Sequence, residues 1–349
     1  MDMELEFHRD GCTFPSEDRD PGCNFGRPVL ITVPLSQPEY HGRVIALEGL
    51  IGAGKSTLVD KIQRSDPDIE VLKEQINPAL LELFYSNPVK YGFAMQWAAL
   101  QHRIYQSRLL DYSKKLSAAT TTPGQPGKDH VWDRSMLGDY AFALWNHLTG
   151  NLDSSEMEAY ESMFGASVSR EHPASLAESP FVSHVDTYVW LVDDPKQCKR
   201  RVELRQSNPA EQGIPDQYYQ GLEDVHIFLF LKLLSDPSVN YKVKVRNWEQ
   251  YHQVSSLEEL LKDPVAAPHR FSADTLEMQD RCKDLGVIYS PPNLTLDITF
   301  SKEGVKQDVI DKYGFYFLTE DSKVALYQYL SSGGDPMCIC MSITRDNSQ

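Results

Sequence analysis

"EGLIGAGKST", residues 48–57, decides how the rest of the chain is read. Four apolar residues, 44–47, run into it, and "KSTLVDKIQRS" leaves it with helical spacing. Gly49, Gly54, Lys55 and Ser56 stand at the Gly-x-x-x-x-Gly-Lys-Ser spacing of a phosphate-binding loop, which works only between a strand and a helix. Each position has a physical task. Glycines let backbone N–H groups converge on phosphate oxygens, a lysine reaches the outer phosphates and a serine hydroxyl ligates Mg²⁺. The loop therefore predicts Gly49, Gly52, Ala53, Gly54, Lys55, Ser56 and Thr57 as nucleotide contacts.

Outward from the loop, strand-like and helix-like stretches alternate. A short strand is expected at "IEVLKE", ending on Glu74, then helices over 78–85 and 89–115, with Phe93, Trp97, Leu100 and Ile104 spaced for one face. "HVWDR", "TYVWLV" (187–192) and "YKVKVRNW" complete five candidate strands, with helices over 136–148 and 154–168 and from Pro215 onward. Strands alternating with helices predict an α/β fold of the P-loop NTPase type, a five-stranded parallel sheet with helices on both faces. The expected organisation is a flexible extension over 1–41, a catalytic domain over 42–262 and a small C-terminal extension over 263–349. Short strands are expected in the last at "NLTLDITF" and "YGFYFL".

Composition narrows the classes. A net charge of -16 argues against a broad nucleic-acid surface, because phosphate backbones are bound by Lys and Arg excess. No run reaches the roughly 18 apolar residues of a membrane span. The acidic N-terminus reads as neither a secretory signal nor an Arg-rich transit peptide, so a cytoplasmic location is expected and a mitochondrial one disfavoured. The six cysteines are read as reduced thiols, and "MCICMS" has no second Cys/His pair at zinc spacing.

A phosphate loop alone does not separate hydrolase, motor and kinase. No N-K-x-D segment for guanine is present. "YVWLVDD" mimics the acidic strand end of a motor ATPase, although Asp193-Asp194 before Pro195 equally makes a helix cap.

The motifs in order are "EGLIGAGKST", "KEQINPALLELFYSNP" (73–88), "FAMQWAALQHR" (93–103), "WDRSMLGDYAFA" (132–143) and "RRVELRQSNPAEQGIP" (200–215). This set resembles the deoxynucleoside kinase family over roughly residues 43–262. The resemblance implies transfer of the ATP γ-phosphoryl to a deoxynucleoside 5′-hydroxyl. It makes Glu74 the general base, gives Arg134 the 5′-oxygen and phosphates, and gives Mg²⁺ to Ser56 and Asp133, the last where relatives more often carry Glu. It assigns Gln96 to the base edge, Tyr85 and Glu211 to the sugar 3′-hydroxyl, and Arg103 with Asp139 to the pocket floor. Arg201 and Arg205, four apart, would clamp the phosphoryl group from one helical face.

Arg103 and Asp139 together favour purine deoxynucleosides or deoxycytidine over thymidine. Ala143 suggests a roomy pocket, and "QSNPA" lacks a third lid arginine. By resemblance the chain is also a homodimer. Two alternatives stay open: a kinase-fold scaffold subunit without activity, and a kinase for a nucleoside monophosphate.

Overall fold

The structure, a computed structural model, describes residues 42–120, 127–168, 185–205, 209–235, 242–262, 294–334 and 339–343. The expected extension over 1–41 and most of the cysteines lie outside the described residues.

The apolar run of β1 (Val44–Gly49) is buried throughout and feeds two cores at once. Val44 and Ala46 point to one face of the sheet and Ile45 and Leu47 to the other, as the two-residue period of a strand requires. Five parallel strands lie in the order β2-β3-β1-β4-β5: β2 (Glu70–Leu72), β3 (His130–Asp133), β4 (Thr187–Val192) and β5 (Val243–Asn247) around β1. The expected sheet is present.

One face is covered by α1 (Lys55–Ser65), through Leu58, Val59 and Ile62, with the two short helices after β5, α8 (Trp248–Tyr251) and α9 (Leu257–Leu261). The other carries α3 (Pro88–Thr120), α4 (Met136–Leu148), α5 (Ser154–Val168) and α7 (Asp216–Leu234). The short α2 (Pro78–Ser86) begins at Asn77, whose side chain accepts from the N–H groups of Ala79 and Leu80. The basic segment forms α6 (Pro195–Arg205), and the Asp194 carboxylate accepts from Lys196 N–H at its start. Of the acidic pair, Asp194 takes the helix-cap role, whereas Asp193 pairs with Arg201.

Three expectations need correction. β2 stops at Leu72, because its neighbour β3 pairs only as far as Trp132 and Lys73 turns its carbonyl to the Gln106 side chain (2.8 Å). Glu74 therefore stands beyond the strand. On α3, Leu100 and Ile104 enter the core, but Trp97 is 38% exposed and packs on Phe93. "YGFYFL" supplies only a two-residue strand, Phe317–Leu318.

The segment after 262 has no core of its own among the described residues. β6 (Leu294–Thr299), α10 (Gln307–Tyr313), β7 (Phe317–Leu318) and α11 (Glu320–Ser331) put Leu296, Ile310, Phe317 and Leu326 into the same apolar cluster as α4 and α7, with Phe315 from the turn before β7. α7 is buried nearly all round, with a continuous apolar run from Ile227 to Leu231, and so is covered on both sides. Phe228 of α7 meets Phe315 at 4.5 Å, and Tyr327 stands edge-on to Trp190, which stacks on Phe230.

Candidate active site

The phosphate loop leaves β1 at the C-terminal edge of the sheet, where the chain runs to β2 and β3 on one side and to β4 and β5 on the other. Ligands of open α/β sheets bind at this kind of edge. Gly52, at φ +78°, passes so close to α6 that a Cβ would lie 2.2 Å from the Cys198 carbonyl oxygen. Two side chains brace the loop: Tyr251 Oη donates to Ala53 O (2.8 Å) and Arg201 Nε to Gly52 O (2.8 Å). Lys55 opens α1, buried, with Nζ donating to Gly49 O (3.1 Å) and Leu50 O (2.8 Å). Burial, then the neighbouring Arg134, lowers its pKa to about 8.

Beside it, Ser56 Oγ donates to Asp133 Oδ2 at 2.7 Å, while Asp133 Oδ1, buried, has no hydrogen-bond partner. Two hard oxygens with one unmet lone-pair set suit Mg²⁺, which takes few protein ligands and keeps phosphate and water oxygens. Among the described residues no cluster of three His, Cys, Asp or Glu forms an all-protein metal cage.

Glu74 faces this corner. Its Oε1 accepts from Arg103 Nη2 at 2.5 Å and lies 3.3 Å from Arg134 Nε. Burial pushes its pKa up, but Arg134, Arg103 and Lys55 outweigh that and hold the carboxyl below the usual range. It is ionised at neutral pH and ready to accept a proton. Arg134 sits at φ +67°, alone among described non-glycine residues in the left-handed region. Such a conformation costs on the order of 1–3 kcal/mol and persists only where surrounding contacts impose it. Its guanidinium lies over the Phe142 ring at 4.6 Å, and Nε and Nη1 have no hydrogen-bond acceptor.

A cleft of about 900 Å³, open mouth included, continues from the loop between α2, α3, α4 and α7. Tyr85, Gln96, Asp139 and Glu211 line it, together with Glu74, Arg134 and the loop. Gln96 is 3% exposed and its Oε1 has no partner, so it is a buried acceptor aimed at the cleft. Asp139 accepts from Tyr160 Oη (2.7 Å), and burial, opposed by Arg103, raises its pKa to about 6.

Not every expected residue reaches this cleft. Arg103 is buried behind Glu74, bonded also to Gln106 and the Asp133 carbonyl. Arg205 lines the cleft, paired with Glu211. Arg201 does not line it: besides Gly52 O it pairs with Asp193 and lies 4.2 Å over the Trp248 ring. The two arginines therefore do not share one target, because Asp193 and Trp248 hold Arg201 beneath the loop. Ala143 is buried in the core, and its neighbour Phe142 is the aromatic wall, so Ala143 opens no room in the cleft. The segment 206–208, part of the expected lid, lies outside the described residues.

Sequence reasoning missed Phe142, Tyr218, Trp248, Tyr251 and Glu48. Phe142 lies three after Asp139 on α4, a spacing that carries both to one face. Glu48 is the only charge in an otherwise apolar strand and is fully buried, with Oε1 accepting from both Ser135 N and Ser135 Oγ.

A parallel sheet, a phosphate loop, a hydrogen-bonded serine–aspartate pair and an arginine-held carboxylate beside the cleft define a P-loop phosphotransferase fold. The chain belongs to the deoxynucleoside kinase family, whose model matches residues 45–263. It is 25% identical to the deoxyadenosine kinase of Dictyostelium discoideum over 228 residues, covering 65% of this chain and 81% of that protein. It is 28% identical to the deoxyguanosine kinase of the same organism, over 61% of this chain and 66% of the other. A solved structure of deoxyadenosine kinase from M. mycoides with bound dATP aligns at a TM-score of 0.44 and 22% identity, over 58% of this chain and 89% of that one. Among the described residues no helix is long and apolar enough to cross a membrane.

Proposed function

We propose that this chain is an ATP- and Mg²⁺-dependent deoxynucleoside 5′-kinase that prefers purine deoxynucleosides or deoxycytidine to thymidine. One observation carries the reading: Glu74, ionised and held by Arg103 and Arg134, lines the same cleft as the phosphate loop at one end and Gln96 with Asp139 at the other. A nucleoside bound by its base at Gln96 would have its 5′-hydroxyl directed toward Glu74.

The residues then have separable tasks. The Gln96 amide offers a donor and an acceptor to a base edge, and Asp139 adds a second polar contact. Tyr85 and Glu211 hold the 3′-hydroxyl. Glu74 accepts the 5′-proton as that oxygen attacks the γ-phosphorus, and ADP leaves with the broken bond's electrons. Lys55 and the unpartnered Nη1 of Arg134 stabilise charge on the transferring group, in positions fixed before reaction. Mg²⁺, held by Ser56 and Asp133, would neutralise charge on the β- and γ-phosphates. The similarity to deoxyadenosine, deoxyguanosine and deoxycytidine kinases supports these three nucleosides as acceptors.

Incubation of purified protein with Mg-ATP and each of deoxyadenosine, deoxyguanosine, deoxycytidine and thymidine, with products identified by mass, tests the acceptor. The expected products are 5′-monophosphates of the first three. Thymidine as best acceptor would overturn the specificity reading, and no product from any would overturn the reaction.

A further inference from the structure

Glu48 has no task in the mechanism above, yet it is the most completely buried acid near the site. Its carboxylate reaches from the end of β1 to the start of α4 and takes both polar hydrogens of Ser135, N–H at 2.8 Å and O–H at 2.5 Å. Ser135 is also the N-cap of α4, its Oγ accepting from Leu137 N. The residue between these anchors and β3 is Arg134, whose own N–H bonds Leu47 O at 3.1 Å. Consecutive residues of β1, Leu47 and Glu48, thus grip consecutive residues of the turn, Arg134 and Ser135.

The space around this contact is also built for it. A Cβ at Gly138 would lie 2.2 Å from Glu48 Oε2 and 2.5 Å from Arg134 Cγ, so the glycine lets the two side chains pass one turn into α4. Glu48 Oε2 has no hydrogen-bond partner, so it stands beside Arg134 without occupying the guanidinium N–H groups; burial pushes the Glu48 pKa up, opposed chiefly by Arg134.

We propose that Glu48 is a positioning residue for phosphoryl transfer: by clamping Ser135 it holds Arg134 in its left-handed turn, with guanidinium Nη1 left open to the transferring phosphate. This rests on the role given to Arg134 in the preceding section. Glu48→Gln keeps an oxygen for Ser135 but replaces the other with a donor facing Arg134. It should fold and show the wild-type thermal shift with Mg-ATP. kcat should fall about tenfold while KM for nucleoside and ATP stays within about twofold, because a misaimed charge is felt in the transition state.

The decisive readout is a double-mutant cycle on kcat. Combined with Arg134→Ala, Glu48→Gln should have no further effect. An equal loss in both backgrounds, or no loss in either, would overturn the inference while leaving the kinase reading intact. If Arg134→Ala alone kept wild-type turnover, the role of Arg134 would fail and the inference with it. Should Glu48→Gln not fold, Ser135→Gly, which removes the hydroxyl's bond to Glu48 together with its cap on Leu137 N but keeps the Ser135 N–H bond and the favourable N-cap glycine, enters the same cycle with the same criteria.

Discussion

Lys323→Met tests whether the segment beyond residue 262 is part of the catalytic fold. Lys323 of α11 is 2% exposed, and its Nζ lies 3.1 Å from Glu223 Oε2 and 2.7 Å from Asp224 Oδ1, neighbours on α7. Glu320, at 2.9 Å, is 81% exposed and adds little. Methionine fills the space but leaves two buried carboxylates short of a partner. Breaking a buried pair costs about 3–5 kcal/mol. Asp224 keeps Lys302 and Glu223 keeps the Tyr327 hydroxyl (2.9 Å), so the low end, about 3 kcal/mol, applies. At about 2 °C per kcal/mol for a large domain, Tm should drop by roughly 6 °C.

The pH dependence of that loss has a definite sign. Burial, opposed by Lys323, raises Glu223 from 4.5 to about 7. A carboxyl with a raised folded pKa binds its proton more tightly in the native state, so it costs nothing below about 4.5 and its full penalty above about 7. Removing the lysine raises it further. The Tm difference between variant and wild type, followed by circular dichroism, should therefore be larger at pH 8 than at pH 5.5. A loss under 2 °C at both values, or a loss independent of pH, would refute the reasoning.

Two further outcomes follow from the site. Ser56→Ala removes the hydroxyl on Asp133 Oδ2, so the Mg²⁺ concentration for half-maximal activity should rise about tenfold, read by Mg²⁺ titration at saturating ATP. Asp139→Asn removes a charge that Asp139 gains as pH rises through about 6. If ionised Asp139 grips the base, wild-type nucleoside KM should worsen below pH 6, and the variant should have a raised, pH-flat KM between pH 5.5 and 7.5.

The parallel sheet was legible because a strand buried on both faces writes a continuous apolar run, as in residues 44–47 and 187–192. The loop and its lysine were legible because phosphate geometry demands their spacing. Helical periodicity carried Gln96 and Arg103 to one buried side of α3 but not the depth of each, and Arg103 stands behind Glu74. Arg201 and Arg205 show the same limit: a four-residue spacing puts two side chains on one face, while Asp193 and Trp248, brought in from other elements, decide where one of them points. The docking of 294–334 was hidden because its partners, Glu223 and Asp224, lie far away in sequence. In the α7 text they read as solvated charges.

The central claim is that Glu74 is the base of a phosphoryl transfer to a deoxynucleoside, and its most direct test is a comparison with Glu74→Gln at pH 7.5. With saturating Mg-ATP and deoxyadenosine or deoxyguanosine, the variant should lose about 10²–10⁴-fold in kcat while keeping the Mg-ATP thermal shift. Because the carboxyl is held below its usual pKa, wild-type kcat should show no titration of this group between pH 6 and 8. A Glu74→Gln protein that phosphorylates the nucleoside at the wild-type rate would contradict the account.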